Sequence, residues 1–217
     1  MDKNTHYYSK TQENVKSNPN IYTFNFMEHT FRFHTDSGVF SKEYIDYGTF
    51  AMLKAFKPND IEGDILDMGA GYGPIGIVVS TLYKKHAVMC EINERSYNLN
   101  LKNIEENKAD AVVFHSDLYE KVEGMSFASI ITNPPIRAGK ETVFKIYDGA
   151  YTHLKENGEL WVVIQKKQGA PSSKDHLEAL FGNCEIITRD KGYYILKSVK
   201  KAQWWAFCSL QFSFYLL

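Results

Sequence analysis

From residue 64 onward, short apolar runs alternate along the chain with stretches of helical periodicity. Apolar runs of this length are typical of strands buried on both faces, whereas apolar positions three and four residues apart indicate amphipathic helices. The predicted strands are 64–68, 87–92, 111–115, 127–132 and 159–165, and the predicted helices are 75–84, 94–108, 140–155 and 174–181. Asn157-Gly158 is predicted to stop the third of these helices. The alternation predicts an α/β fold with a mostly parallel, doubly wound sheet.

Two other stretches show the two-residue alternation of strands that are buried on one face. Aromatic residues alternate over 22–26 and again over 31–33, which predicts an N-terminal hairpin that covers the domain as a lid; the alternative is a simple addition at the edge of the domain. Strand-like runs over 184–188 and 193–199 are joined by residues 189–192, which predicts a C-terminal antiparallel hairpin. Such a hairpin departs from the plain dinucleotide-binding fold.

These patterns divide the chain into three parts. We predict an N-terminal hairpin extension and lid over 1–41, one α/β domain over 42–201 and an uncharged apolar tail over 202–217. The tail is shorter than the roughly 20 residues of a membrane span, so no membrane segment is expected. We interpret the tail as non-native to the domain; the alternative is a native segment that packs on the core or on a second subunit.

Charge and composition narrow the function only a little. The net charge of −1 means that a nucleic-acid partner has to be bound by a local patch. The three cysteines, Cys90, Cys184 and Cys208, form no CxxC pair, and the seven histidines form no HExxH motif, so no metal site and no disulfide framework are predicted. The first residues lack the apolar region of a secretory signal, which predicts a cytoplasmic location.

A glycine-rich loop follows the first predicted strand of the domain. The strand ends on Asp67, and the loop carries Gly69, Gly71 and Gly73, which let backbone pass close to a ligand, before Pro74 opens the next helix. Residues 71–76 also satisfy GxGxxG, and Glu91 after the second strand can hold a ribose, as in NAD enzymes. The loop alone therefore leaves NAD and S-adenosyl-L-methionine open.

Acids at the strand ends favour S-adenosyl-L-methionine. Asp67 precedes the first glycine, near the cationic methionine end, and Asp117 follows the third strand, where a polar group is needed for the adenine amine. Glu91 can accept from both ribose hydroxyls while Ile92 packs on the adenine face. A pyrophosphate would be repelled by these acids. The alternative for Glu91 and Asp117 is helix capping.

The fourth strand runs into Asn133-Pro134-Pro135-Ile136, at the sheet edge where ligands bind in open α/β folds. The Asn133 side-chain oxygen and the Pro134 carbonyl can accept both hydrogens of one planar NH₂ group. Accepting both localises the nitrogen lone pair for attack on a methyl group. The alternative is an ordinary turn.

Through residues 67–76, residues 133–136, and residues 38–41 with 46–49, the chain resembles the class I S-adenosyl-L-methionine-dependent methyltransferases. It most resembles the RsmC-type ribosomal RNA guanine-N2 methyltransferases in a short single-domain form, over roughly residues 20 to 200. The resemblance implies a Rossmann-like seven-stranded methyltransferase fold, S-adenosyl-L-methionine as the cofactor, ribosomal RNA or the small ribosomal subunit as the partner, and a monomer or homodimer.

The resemblance and the motifs together give the candidate site residues. The predicted catalytic residues are Asn133, Pro134, Pro135 and Ile136. The predicted cofactor-binding residues are Phe40, Ser41, Asp46, Gly48, Asp67, Gly69, Ala70, Gly71, Gly73, Pro74, Glu91, Ile92, Asn93, Asp117, Leu118 and Asn133. Ile136 departs from the family, where phenylalanine usually stacks on the target base, which is worth about 1–3 kcal/mol per base.

The expected activity is methylation of the exocyclic N2 amine of a guanine in ribosomal RNA. One alternative is methylation of adenine N6 or of a protein glutamine amide, because Asn-Pro-Pro can serve any planar NH₂ group. Another is a non-catalytic protein that binds RNA in ribosome assembly. Cations after the strand ends, Arg137, Lys140, Lys145, Lys166 and Lys167, are candidates for phosphate contacts or simply solvated surface residues.

Overall fold

The structure is a computed structural model that describes residues 15–202. Most of the apolar tail predicted over 202–217, and the first fourteen residues of the predicted extension, lie outside the described residues.

A seven-stranded sheet forms the centre of the domain. Its strands are β3 (Ile65–Met68), β4 (Ala87–Glu91), β5 (Ala111–His115), β6 (Phe127–Thr132), β7 (Leu154–Gln165), β8 (Glu185–Asp190) and β9 (Tyr193–Val199). The order is β5-β4-β3-β6-β7-β9-β8. Neighbouring pairs from β5 to β7 are parallel, whereas β9 is antiparallel to both β7 and β8. The predicted mostly parallel sheet with a closing antiparallel hairpin is confirmed.

Five helices cover the two faces of this sheet: α1 (Tyr47–Ala55), α2 (Pro74–Tyr83), α3 (Glu94–Asn107), α4 (Lys140–His153) and α5 (Ala170–Phe181). Alternate residues of β6 face opposite cores. Ile131 joins the apolar cluster of α1 and α2, while Ile130 joins that of α4 and α5. Both residues are fully buried, which explains why the central strands read as continuous apolar runs.

An N-terminal hairpin, β1 (Asn20–Phe26) and β2 (His29–Thr35), packs beside the α1–α2 core as a separate sheet. Two asparagines of α3 satisfy its free edge. Asn103 accepts from the His34 amide at 2.7 Å and donates to the His34 carbonyl at 3.0 Å. Asn107 makes the same pair of bonds with Arg32, at 3.0 and 2.8 Å. The hairpin is thereby fixed to the helix that follows β4.

The prediction that Asn157-Gly158 stops a helix is wrong. Helix α4 ends at His153, and β7 begins at the next residue. Asn157 has φ 62° inside β7, where the register with β6 shifts between Phe127 and Ser129. Asn157 donates its amide to the Lys200 carbonyl at 2.6 Å. The pair therefore forms an irregularity within a strand, a setting that also favours residues tolerant of positive φ.

Two further features differ from the sequence predictions: the start of α5 and the presence of α1. Helix α5 starts at Ala170 instead of residue 174, because a proline in the first turn fits the dihedral angles of a helix start. Helix α1 has no predicted counterpart.

No helix among residues 15–202 has the length and apolar character needed to cross a membrane.

Candidate functional site

A cavity opens at the carboxyl ends of the central strands, between the glycine loop after β3 and the Asn-Pro-Pro turn after β6. It encloses about 770 Å³ of space not filled by protein atoms, part of it open to solvent. It is lined by Phe40, Asp46, Thr49, Gly69, Ala70, Gly71, Tyr72, Pro74, Ile75, Glu91, Ile92, Ser96, Asn133, Pro134 and Pro135. Its lining combines apolar side chains with a few polar groups, as small-molecule sites commonly do.

The three glycines of the loop face different surroundings. Gly69 and Gly71 have φ 76° and 58°, and a Cβ on either would meet no protein atom within 4 Å. Both line the cavity, so their missing side chains leave room for a ligand. Gly73 has φ 97° and caps α2, and a Cβ there would lie 2.5 Å from Oδ1 of Asn100. Gly69 and Gly71 thus shape the cavity, and Gly73 shapes the packing behind it.

Glu91, at the end of β4, is 7% exposed and lines the cavity beside the glycine loop. Its carboxylate accepts from the amides of Gly71 and Asn93, each at 2.7 Å. Burial raises its pKa, and these hydrogen bonds act in the opposite direction. Asn93 in turn caps α3 by accepting from Ser96 at 2.9 Å. The carboxylate is therefore held rigidly, with lone pairs left to accept from ligand hydroxyls.

Asp67 lies behind the loop and does not line the cavity. It is 1% exposed, and its Oδ2 accepts from the Gly76 amide at 2.9 Å. Its Oδ1 has no hydrogen-bond partner among the described residues. Burial, together with the charge of Glu91, raises its pKa to about 7. Asp67 thus anchors the first turn of α2 beneath the glycines.

Asn133 is oriented by the start of α1. Asp46 caps that helix by accepting from Gly48 at 2.9 Å and Thr49 at 3.2 Å. The Asn133 Nδ2 donates to Oγ1 of Thr49 at 3.2 Å and lies 3.5 Å from both Asp46 carboxylate oxygens. Because an ionised carboxylate only accepts, the NH₂ end of the amide has to face Asp46. The other end, Oδ1, is left to accept a hydrogen bond from a ligand.

Several predicted site residues do not line the cavity: Ser41, Gly48, Asp67, Gly73, Asn93, Asp117, Leu118 and Ile136. Asp117 and Leu118 follow β5, and Leu118 packs on the α4–α5 core. Ile136 opens a 3-10 turn, Ile136–Ala138, and packs on the same core. Gly48 lies against Tyr193, where a Cβ would be 2.7 Å from the ring.

Four cavity residues were not predicted from the sequence: Thr49, Tyr72, Ile75 and Ser96. Tyr72 stands between Gly71 and Gly73, so its position within the glycine loop is the sequence feature that marks it. Its hydroxyl donates to the Ser41 carbonyl at 3.2 Å and bonds the Tyr22 hydroxyl at 2.8 Å. Burial raises the pKa of Tyr22 to about 12 and also raises the pKa of Tyr72. This chain of bonds joins the hairpin, the glycine loop and the segment 38–46.

The cavity is acidic. Among the described residues, its lining holds two carboxylates, Asp46 and Glu91, and no lysine, arginine or histidine. A pyrophosphate on the glycine loop would lie beside Glu91 with no cation to offset its charge, whereas a cationic ligand is favoured there. In the same described part of the chain, no three side chains of the metal-ligating types cluster together.

The sequence profile of the methyltransferase small domain matches residues 30–197. The chain is 46% identical over 198 residues to the uncharacterized protein YbxB of Bacillus subtilis, covering 90% of this chain and 98% of YbxB. It is 32% identical over 168 residues to ribosomal RNA small subunit methyltransferase C of Haemophilus influenzae, covering 75% of this chain and 49% of that protein.

A solved structure shares the fold over most of this chain. It is the Thermus (T. thermophilus) 16S rRNA N2 G1207 methyltransferase, RsmC, in complex with AdoMet and guanosine. The TM-score is 0.78 at 24% identity, covering 88% of this chain and 53% of that one. The chain therefore spans about half the length of the methyltransferase C proteins it matches and nearly all of YbxB.

Proposed function

The chain belongs to the methyltransferase small domain family, and on that premise we propose that it methylates the exocyclic N2 amine of a guanine in ribosomal RNA, with S-adenosyl-L-methionine as the methyl donor. The family resemblance inferred from the sequence motifs is confirmed. The guanine, the RNA and the small subunit as partner are our proposal, which the names of the relatives support. A cytoplasmic location and a monomeric or homodimeric state remain predictions.

The observation that carries the proposal is one acidic cavity bounded by both the glycine loop and the Asn-Pro-Pro turn. Gly69 and Gly71 leave open space where a ligand can approach the backbone. Glu91 offers lone pairs to ribose hydroxyls, and Ile92 offers an apolar contact beside it. Asp46 and Glu91 suit a ligand with cationic groups, as S-adenosyl-L-methionine has. These residues fit that cofactor better than a dinucleotide.

When bound, S-adenosyl-L-methionine supplies an electrophilic methyl group. The chain's own contribution is to hold the target amine. Asn133 is fixed by Thr49 and Asp46 with its Oδ1 left for one N–H of the amine, and the Pro134 carbonyl can accept the other. With both hydrogens held by acceptors, the nitrogen lone pair is less delocalised into the ring and is available to attack the methyl group.

Most of the acceleration is then expected from positioning, because the nucleophile needs no proton removed before it attacks. The nitrogen becomes acidic once it is methylated, and its proton can pass to the Pro134 carbonyl or to water. A guanine inside a helix has to be flipped out of its stack to reach the cavity, at a cost of a few kcal/mol.

The test uses labelled S-adenosyl-L-methionine with separated ribosomal subunits from a strain that lacks the protein, followed by mapping of the labelled base. We expect label on guanine N2 in small-subunit RNA, its loss in Asn133→Ala, and its retention in Asn25→Ala, which removes an exposed asparagine of β1.

Other outcomes identify the alternatives. Label on adenine N6 or on a protein would reject guanine as the target. Full biological activity of Asn133→Ala, with no label on any substrate, would reject catalysis in favour of a binding protein.

A further inference from the structure

Four exposed cations lie together after the last parallel strand. Lys166 and Lys167 follow β7, Arg189 lies near the end of β8, and Lys191 lies in the turn between β8 and β9. The Lys166 amide donates to the Gly192 carbonyl at 2.8 Å, which places the two segments side by side. We call these four residues the basic edge.

The basic edge is fixed to the wall of the cavity through α1. Lys191 Nζ lies 4.4 Å from the centre of the Tyr47 ring, and the Tyr47 hydroxyl donates to the Asp190 carboxylate. Tyr193 packs against Gly48. Tyr47 and Gly48 directly follow Asp46, the residue that faces Asn133. The cations therefore lie on the side of the cavity where the target amine is proposed to bind.

The charges of the basic edge are available to a partner. Residues 166–169 and 189–192 hold four cations and one carboxylate, Asp190, a local net charge of +3 (four minus one) in a chain with a net charge of −1. In the part of the chain that the structure describes, none of the four cations forms a salt bridge. By contrast, Lys145, a phosphate candidate from the sequence, pairs with Glu141 at 2.7 Å.

Aromatic rings lie among these cations. Arg189 lies 5.0 Å from the centre of the Tyr194 ring, and Tyr47, Tyr193 and Tyr194 are all half-buried. Cations interleaved with aromatic side chains are typical of surfaces that bind single-stranded nucleic acid, where bases stack and phosphates pair. An acidic protein segment would be bound by the cations but would gain little from the rings.

We propose that the basic edge binds the phosphates of the RNA strand next to the target nucleotide. The identity of the partner as RNA rests on the proposed function. A nucleotide whose base enters the cavity carries its neighbours with it, and the basic edge is a cationic surface tied to that side by direct contacts. Phosphate contacts of this kind set position and affinity and carry no sequence specificity.

The experiment compares two triple variants that remove the same charge. The test variant is Lys166→Gln, Lys167→Gln and Lys191→Gln. The control is Lys57→Gln, Lys84→Gln and Lys108→Gln, three exposed lysines that follow the carboxyl ends of α1, α2 and α3 and so lie at the opposite edge of the sheet. Each triple includes lysines with positive φ, Lys84 and Lys108 in the control and Lys191 in the test variant, so neither is confined to regular backbone.

The measurement is binding to deproteinised small-subunit ribosomal RNA as a function of salt, without cofactor. Three lost contacts to single-stranded RNA should reduce the slope of log affinity against log salt by about 2. Between 50 and 200 mM salt, the wild type should then lose about 20-fold more affinity than the test variant. The control should keep the wild-type slope.

Each outcome decides the proposal. Three results would overturn it. The slope could be unchanged in the test variant, or it could fall by the same amount in the control. The third result is that the wild type binds only to the proteins extracted from the subunit. RNA binding and methylation are separate readouts. A changed slope with no methylation of any amine would retain the basic edge and reject the proposed function. Methylation of guanine N2 with an unchanged slope would retain the proposed function and reject the basic edge.

Discussion

Alanine at two glycines of the same loop should separate ligand binding from folding. At Gly71 a Cβ would enter the cavity, because no protein atom lies within 4 Å. At Gly73 it would meet Asn100 and Ile77, with Asn100 Oδ1 at 2.5 Å. Both glycines have positive φ, 58° and 97°, so the backbone cost is shared and only the surroundings differ.

The two substitutions differ in the size of their effect on stability. A Cβ in the left-handed region costs roughly 1–2 kcal/mol, or about 2 to 8 °C in Tm for a chain of this length. Gly73→Ala adds an overpacking cost of about 1–3 kcal/mol, which brings its loss to about 4 to 20 °C. Gly71→Ala should therefore be the more stable of the two variants.

For ligand binding we expect the opposite ranking, with Gly71→Ala the more impaired variant. Thermal unfolding with S-adenosylhomocysteine measures this binding. At 100 times its Kd, the ligand stabilises the wild type by about 2.7 kcal/mol, or about 5 to 11 °C. A 100-fold loss of affinity in Gly71→Ala would reduce this to about 0.4 kcal/mol, within the scatter of the assay. Gly73→Ala should keep most of the ligand-induced shift, since its new methyl group points away from the cavity.

A full ligand-induced shift in Gly71→Ala would refute the assignment of the cofactor to this loop. Loss of that shift in Gly73→Ala alone would show that the ligand depends on the packing behind the loop and not on the open space in front of it.

Three other changes test the remaining parts of the site. Asn133→Ala should lower kcat by about 10² to 10³ while more than half of the S-adenosylhomocysteine shift remains, because the lost acceptor serves the target amine; an unchanged kcat would contradict this. Tyr22→Phe removes a hydrogen bond to Tyr72, worth about 0.5–1.5 kcal/mol, and should lower Tm by about 1 to 6 °C, whereas Tyr44→Phe, at a 67% exposed residue, should not. Burial raises the pKa of Asp67 from 3.8 to about 7, so between these values the folded state keeps a proton that the unfolded state has lost. Stability in urea unfolding should therefore fall as pH rises from about 4 to 7, and Asp67→Asn should flatten that fall.

The parts of the site that local sequence could predict are those made by consecutive residues. The glycine loop combines a buried strand, residues tolerant of positive φ and a proline at the start of a helix, and each signal is local. The Asn-Pro-Pro turn is equally local. The orientation of Asn133 is not, because its amide is set by Thr49, 84 residues earlier in the chain. The sequence could name Asn133 as an acceptor but not the residues that aim it.

The same limit explains the error at Asn157-Gly158. An Asn-Gly pair favours positive φ, which suits both the end of a helix and a bulge in a strand. The choice depends on how β7 pairs with β6, a contact between residues that are about thirty apart in the chain. A local sequence pattern can indicate positive φ at Asn157, but the pairing of the strands determines whether that residue ends a helix or forms a bulge.

The net charge of the whole chain does not reveal that an acidic cavity and a cationic surface lie next to each other at the sheet edge. The cavity lining carries carboxylates and, within the described residues, no cation, while the basic edge carries four cations beside one acid. The two regions meet at the start of α1, where Asp46 faces Asn133 and the next residue, Tyr47, contacts Lys191. Averaged over the chain they nearly cancel, but fields at this range act locally. A cationic cofactor and an anionic strand can therefore be held side by side, each next to charges of the opposite sign.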